Sequence, residues 1–248
     1  MSDPRTEQLP KKSQQTPLDQ IPITRARPAR RILVRGDEGE RWVLRPTVMT
    51  DVGAILDGYD ASLNEIVAFM PWAHRTQDTL MQLDRLRDAE ANYYAGRELT
   101  MALFRVENGV ERFATMVGLH PRMPLNPTGL EIGYWTPTPM TRKGITTFAV
   151  KVIVTYAFRK LGAERVQAIC DEANIGSWRV MEKVGMVREG SLRNVTKAPE
   201  PELVAGGFVH TGSNFMYALT PEDFAALPWV ADIEARMTYE NIVGCVVP

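Results

Sequence analysis

At 248 residues and 27.9 kDa, the chain is long enough to bury the core of one large domain without help from metals or disulfides. Its 44% hydrophobic and 24% charged residues, net charge of -1 and mean hydropathy of -0.20 exclude collagen, coiled coil and global disorder. No apolar run approaches the roughly 18 residues needed to span a bilayer and no signal-peptide block opens the chain, so a cytoplasmic protein without membrane contact is expected. Neither Cys170 and Cys245 nor His74, His120 and His210 fall at a metal-chelating spacing, and no metal is expected.

Residues 1–31 carry seven Lys/Arg, three acids and five prolines. That segment is +4, leaving -5 for the rest, and it has too little apolar periodicity to offset chain entropy, so it reads as a flexible basic arm. Such a charge can steer an acidic or RNA-bound partner. No aromatic residue stands among the arginines to stack a base, so nucleic-acid binding is disfavoured and a solvated leader is the simpler reading.

From Ile32 the pattern becomes structured. Ile32-Leu33-Val34, a polar turn over 36–39 and Trp42-Val43-Leu44 predict a β-hairpin. Thr50-Asp51 offers an N-cap for a helix carrying Val52, Ile55, Leu56 and Tyr59. After a break at Pro71-Trp72, Thr76 offers one for a second helix with Leu80, Leu83, Leu86 and Tyr93. Stretches rich in β-formers over 99–106, 113–119 and 130–135, joined by short connections, predict three antiparallel strands. Ile145, Phe148, Ala149, Val152, Ile153 and Tyr156 then form the apolar stripe of a helix over 144–160 that ends at Gly162. A strand over 166–170, a helix over 176–184 burying Val180, Met181 and Val184, and a final strand over 215–219 follow. Thr220-Pro221-Glu222-Asp223 announces one more helix.

Two turns carry chemistry. Thr141-Arg142-Lys143-Gly144-Ile145-Thr146 puts a glycine and two cations at a helix start directly after a strand, where free amides and the helix dipole favour an anion. Read on spacing alone, it is equally a glycine that lets the chain turn between two solvated cations. In the second, Asn174 reads as a helix cap, Ser177 as a first-turn residue and Gly185 as the helix stop.

Taken together, the segment from Trp135 through Gly144 and the pattern Asn174-x-x-Ser177-x-x-x-x-Glu182-Lys183-x-Gly185-Met186 resemble the acyl-coenzyme A signatures of the GNAT superfamily. The branch they are most similar to is the Rim-type ribosomal-protein N-terminal acetyltransferases. The likeness covers roughly 40–220 and includes Leu44-Arg45-Pro46, Met70-Pro71-Trp72, Val117-Gly118-Leu119-His120 and Glu131-Ile132-Gly133-Tyr134-Trp135. It implies an α/β (α+β) fold, a mixed and mainly antiparallel central sheet flanked by helices. It also implies acetyl-CoA as co-substrate, bound by Arg142, Lys143, Gly144, Ile145, Thr146, Asn174 and Ser177. Thr141 and Thr146 stand where that family's first signature usually has Gln/Arg and a small residue, and a β-branched Thr146 is expected to crowd the approach.

The implied reaction is direct attack of a neutral amine on the thioester, needing a base, donors for the oxyanion and an acid for the thiolate. Ser177 matches the position of the acid. Glu131 is the candidate base, with His120 and His210 open by their chemistry. Another glutamate that the branch uses falls near Thr196, so that role is vacant or moved. Trp72 and Tyr134 are expected to line the amine pocket. The reading divides the chain into a 1–31 arm, a 32–220 acyltransferase domain and a 221–248 helical extension. The acceptor would be a protein N-terminus or a small-molecule amine, and a homodimer is left open. The alternative is a non-catalytic acyl-CoA-binding or scaffolding domain.

Overall fold

The computed structural model describes residues 28–70, 73, 78–123, 126, 128–197, 211–240 and 246–247. Most of the basic arm, Pro71 and Trp72, His74, Thr76, His210, Cys245 and the 198–210 connection lie outside the described residues. Among the described residues no helix is long and apolar enough to cross a membrane, and no group of three His, Cys, Asp or Glu gathers to hold a metal.

The expected hairpin forms as β1 (Arg31–Arg35) and β2 (Arg41–Pro46), with Ile32 opposite Leu44 and Val34 opposite Trp42. Three helices follow where two were expected: α1 (Val52–Asp60), α2 (Leu63–Phe69) and α3 (Thr79–Tyr94). The break between the first two is made at Ser62, whose hydroxyl donates to the Gly58 carbonyl at 2.8 Å and accepts from the Thr138 amide at 2.7 Å. Asp51 does not cap α1 through its side chain. Its carboxylate instead accepts two bonds from the Arg45 guanidinium and one from the Val48 amide, which outcompete the local cap. The described cap of α3 is Asp78, accepting from the Met81 amide. Leu86 and Tyr93 of its predicted stripe are buried, whereas Leu80, in the first turn, is 75% exposed.

Strands β3 (Leu99–Glu107), β4 (Val110–His120) and β5 (Gly129–Trp135) form the expected antiparallel run. Helix α4 (Ile145–Tyr156) continues as a π turn over Ala157–Leu161 and stops at Gly162, whose φ of 69° suits glycine. Strand β6 (Arg165–Asp171) then lies parallel to β5, and α5 (Ile175–Val184) leads to β7 (Val187–Leu192) and β8 (Asn214–Leu219). The segment after 221 is helical only at first. Helices α6 (Pro221–Ala226) and α7 (Val230–Ala235) give way to β9 (Met237–Glu240) and β10 (Val246–Val247), and β9 pairs with β1. The return is governed by a tertiary edge, since β1 would otherwise leave a row of backbone groups unpaired. The ten-stranded sheet runs β10-β9-β1-β2-β3-β4-β5-β6-β8-β7. β5–β6 is the one parallel pair in its described ladders.

One sheet face carries the main core. Leu44, Leu103, Leu119, Ile132, Val166 and Leu219 pack with Val152, Ile153 and Tyr156 of α4 and with Met181, Phe224 and Ile233. A smaller cluster, Tyr59, Ile66, Val67 and Ala73 with Trp135, joins α1 and α2 to the other face. The domain also begins earlier than Ile32. Ala29 is 6% exposed, its amide donates to the Tyr156 hydroxyl at 2.8 Å, and its carbonyl accepts from the Tyr93 hydroxyl at 2.5 Å.

Burial raises the Tyr93 phenol well above its ordinary range and the Tyr156 and Tyr239 phenols to about 12. These groups hold their protons more tightly folded than unfolded, so their stabilisation is complete below the ordinary tyrosine value of about 10 and is lost as pH rises from there toward 12. Urea melts should show stability falling above about pH 10. Tyr156→Phe should cost about 1 to 3 kcal/mol at neutral pH by orphaning the buried Ala29 amide, and should flatten the alkaline slope.

Candidate active site

Strand parity distributes the site. In β5, Leu130 and Ile132 enter the main core, so Glu131, Gly133 and Trp135 face the side covered by α1 and α2, while Tyr134 faces the α4 side. The β5–β6 ladder holds only from Gly129↔Arg165 to Glu131↔Gln167. Beyond it β5 stays with β4 as far as Trp135 and β6 stays with β8 as far as Asp171, so the two strands part. A cavity of about 580 Å³ passes through this gap, lined by Glu98, His120, Arg122 and Glu131 on one face and by Cys170, Asn174, Ser177 and Met181 on the other.

The crossover helix α4 starts beside the end of β5. Gly144 stands before it at φ 78°, no side chain caps its free amides, and a Cβ on Gly144 would meet nothing within 4 Å. Arg142 takes the rare left-handed backbone at φ 61°, and Thr141, Arg142, Lys143 and Gly144 are all exposed. Uncapped amides, two cations and a helix dipole are a donor set suited to the diphosphate of a coenzyme. Thr146 is tied inward. Thr115 donates to the Trp135 carbonyl at 2.8 Å, and Thr136 lies 2.7 Å from the Thr115 hydroxyl and 2.6 Å from that of Thr146. With the Thr115 proton committed to a carbonyl, the Thr136 and Thr146 protons follow it into the protein, and the Thr146 hydroxyl is drawn away from the mouth.

At the far end of the gap Asn174 caps α5 by accepting from the Ser177 amide at 3.1 Å. The Tyr134 hydroxyl donates to the Ser177 carbonyl at 3.0 Å and lies 3.1 Å from Ser177 Oγ. Burial raises the Tyr134 phenol and pushes the Cys170 thiol up to about 11, opposed in both by the Ser177 hydroxyl. All three groups are therefore neutral proton holders at neutral pH. Tyr134, expected to line the amine pocket, lines the cavity from the side of this α5 group, across the sheet from Glu131. Its odd separation from Glu131 was the available signal, because residues three apart on a strand face opposite ways.

Across the sheet, His120 of β4 pairs in register with Glu131 of β5. The Gln167 amide donates to Glu131 Oε2 at 3.2 Å and the Arg122 guanidinium lies 3.8 Å from Oε1. His120 Nδ1 bonds to Glu98, whose carboxyl is held below its ordinary range chiefly by that bond. Glu98 and Arg122, which flank β3 and β4, and Gln167 and Cys170 of β6 escape sequence reading because the pairing of distant strands brings them to the cavity. Thr196, near which the resemblance placed a glutamate, accepts from the Asn214 amide at 2.7 Å.

Residues 41–187, more than half of the chain, match the acetyltransferase (GNAT) domain model. A curated relative named "Probable N-acetyltransferase YjcK", from Bacillus subtilis, is 42% identical over 66 residues, which is 27% of this chain and 36% of that protein. Among solved structures, Mycobacterium smegmatis RimJ with CoA-disulfide aligns with a TM-score of 0.65 and 20% identity, covering 83% of this chain and 95% of that one. RimL, a ribosomal L7/L12 alpha-N-protein acetyltransferase solved with coenzyme A, aligns with a TM-score of 0.60 and 17% identity over 72% of this chain and 93% of its own. The strand order, the parted parallel pair and the domain match agree, and the chain belongs to the GNAT acetyltransferase family.

Proposed function

We propose that this protein transfers the acetyl group of acetyl-CoA to a primary amine by direct attack on the thioester. The observation that carries the reading is the parting of β5 and β6 between the uncapped start of α4 and the Tyr134–Ser177 pair. Acetyl-CoA supplies an activated acyl group with a thiol leaving group. Gly144, Ile145 and Thr146 hold the diphosphate by their backbone, with Arg142 and Lys143 adding charge, and Asn174 fixes the start of α5 so that Ser177 faces the gap. Ser177 Oγ protonates the departing thiolate, and the Tyr134 phenol, kept protonated by burial, orients it.

The acceptor enters from the side of Glu131, His120 and Trp135, and the Glu131 carboxylate attracts its ammonium form. A protein N-terminal amine is the favoured acceptor class, supported by the likeness to RimJ and RimL. A small-molecule amine is the other, and an amine panel followed by release of free thiol distinguishes them. Thiol release with none of the panel, together with coenzyme binding, would leave a non-catalytic coenzyme-binding domain.

Acetyl-CoA should raise the Tm of the full chain, because it binds only the folded state. Gly144→Val should remove most of that rise and cost about 1 to 2 kcal/mol of stability, since a β-branched residue resists the left-handed backbone. With a productive amine, Ser177→Ala should lower kcat by roughly 10- to 10⁴-fold while the acetyl-CoA-induced rise in Tm persists. An unimpaired kcat would reduce Ser177 to a helix-cap residue.

A further inference from the structure

We infer that His120 is the base that takes the proton of the acceptor amine, and that Glu98 is the positioning residue that prepares it. The inference deepens the proposed function and rests on it.

Three observations converge on His120. Its Nδ1 is engaged by the Glu98 carboxylate, which fixes Nδ1 as the proton-bearing nitrogen and leaves the lone pair on Nε2. Its ring lies across two glycines that are partners in the β4–β5 ladder, Gly118 and Gly133. A Cβ on Gly118 would stand 3.0 Å from Nε2 and one on Gly133 3.3 Å from it, so a side chain at either position would crowd the ring and make it give by a few tenths of an ångström. The ring also lines the cavity on the face of Glu131, and Nε2 has no hydrogen-bond partner among the described residues.

Glu131 is less well prepared as a base. Its two carboxylate oxygens are already engaged, Oε2 accepting from the Gln167 amide and Oε1 lying 3.8 Å from the Arg122 guanidinium, whereas Nε2 of His120 is open to an incoming amine. Glu98 remains a carboxylate for the reason already given, and so can stabilise an imidazolium as it forms. The charged side chains that line the cavity with His120 are Glu98 before β3, Arg122 after β4, Glu131 on β5, Asp171 on β6, and Arg85 and Asp88 on α3.

The proton balance is complete without another reactant. The ammonium loses one proton to Nε2, and the neutral nitrogen bonds to the thioester carbon. The carbon–sulfur bond then breaks, with its electron pair leaving on sulfur. The second nitrogen proton passes to cavity water as the amide forms, and Ser177 gives its own proton to the thiolate and regains one from that water. The imidazolium releases its proton to solvent, giving amide, free thiol and one proton overall.

The test is kcat/KM against pH for the full chain with acetyl-CoA and an amine it turns over. The wild type should show an acidic limb. His120→Gln should abolish the limb and lower kcat by about 10²- to 10⁴-fold, with the acetyl-CoA-induced rise in Tm retained. Glu98→Gln should move the limb to lower pH, because the imidazolium loses its counter-charge, and Glu98→Asp should restore part of the shift. A His120→Gln protein with wild-type kcat, or with reduced kcat and an unmoved limb, overturns the inference. Should His120→Gln fail to fold, Glu98→Gln decides: a displaced limb supports the dyad and an unmoved one overturns it. A wild type that binds acetyl-CoA yet acetylates no amine overturns the reading beneath, and the dyad with it.

Discussion

The site depends on the divergence of β5 and β6 after three paired residues. Neighbouring parallel strands need a crossover, and here it is α4, which begins near the C-terminal end of β5 and returns the chain to the start of β6. Connectivity alone therefore places an uncapped helix N-terminus at the mouth of the gap. Each strand keeps its outer partner, β4 for β5 and β8 for β6, so the parting costs no more than the ladder bonds between the two. The edge-facing backbone groups it uncovers are available to a bound ligand.

Proton handling is divided by the same sheet. Tyr134, Cys170 and Ser177 gather on the α4 side, where burial keeps each of the first two protonated. Glu98, His120, Arg122 and Glu131 gather on the other, joined to one another and to Gln167 by hydrogen bonds and ion pairs. A nucleophile arriving from one face and a leaving group departing on the other need opposite proton traffic, and a sheet one residue thick keeps the two sets apart while the gap connects them. The Thr115–Thr136–Thr146 chain ties the end of β5 to the first turn of α4.

Away from the site, the opposite end of the sheet is closed by long-range contacts. β9 covers the edge of β1, Arg31 bonds to Glu111 and lies 3.4 Å from Glu240, and Arg45 spans Glu111 and Asp51. The partly buried Arg45 sits 3.8 Å above the Phe104 ring, and loss of either acid would leave its charge poorly compensated. Trp229 donates to the Val184 carbonyl at 2.8 Å, and a Cβ on Gly185 would come 2.4 Å from Leu227, which ties the C-terminal segment to the end of α5.

The local code was legible wherever short-range physics dominates. The 3.6-residue stripe of α4, the period-2 pattern of β5, the caps at Asn174 and Thr220 and the glycine at 144 identify their elements from neighbours within a few positions. The motifs spaced along 135–186 were enough to indicate the family. What distant segments contribute was hidden. β9 lies on β1 across about two hundred residues of chain, a distance visible in the pairing of Ile32 with Tyr239. The Glu98–His120 pair is the sharpest case. Counting back from the tight turn at Asn108-Gly109 gives Val106↔Glu111 and Phe104↔Phe113, a register that would set Glu98 opposite Leu119. An irregularity between Leu103 and Phe104 shifts the pairing by one residue, to Leu99↔Leu119, and so brings Glu98 to the histidine. One extra residue in a ladder exchanges the faces of everything beyond it, and packing across the whole sheet, which no local pattern records, decides whether it is inserted.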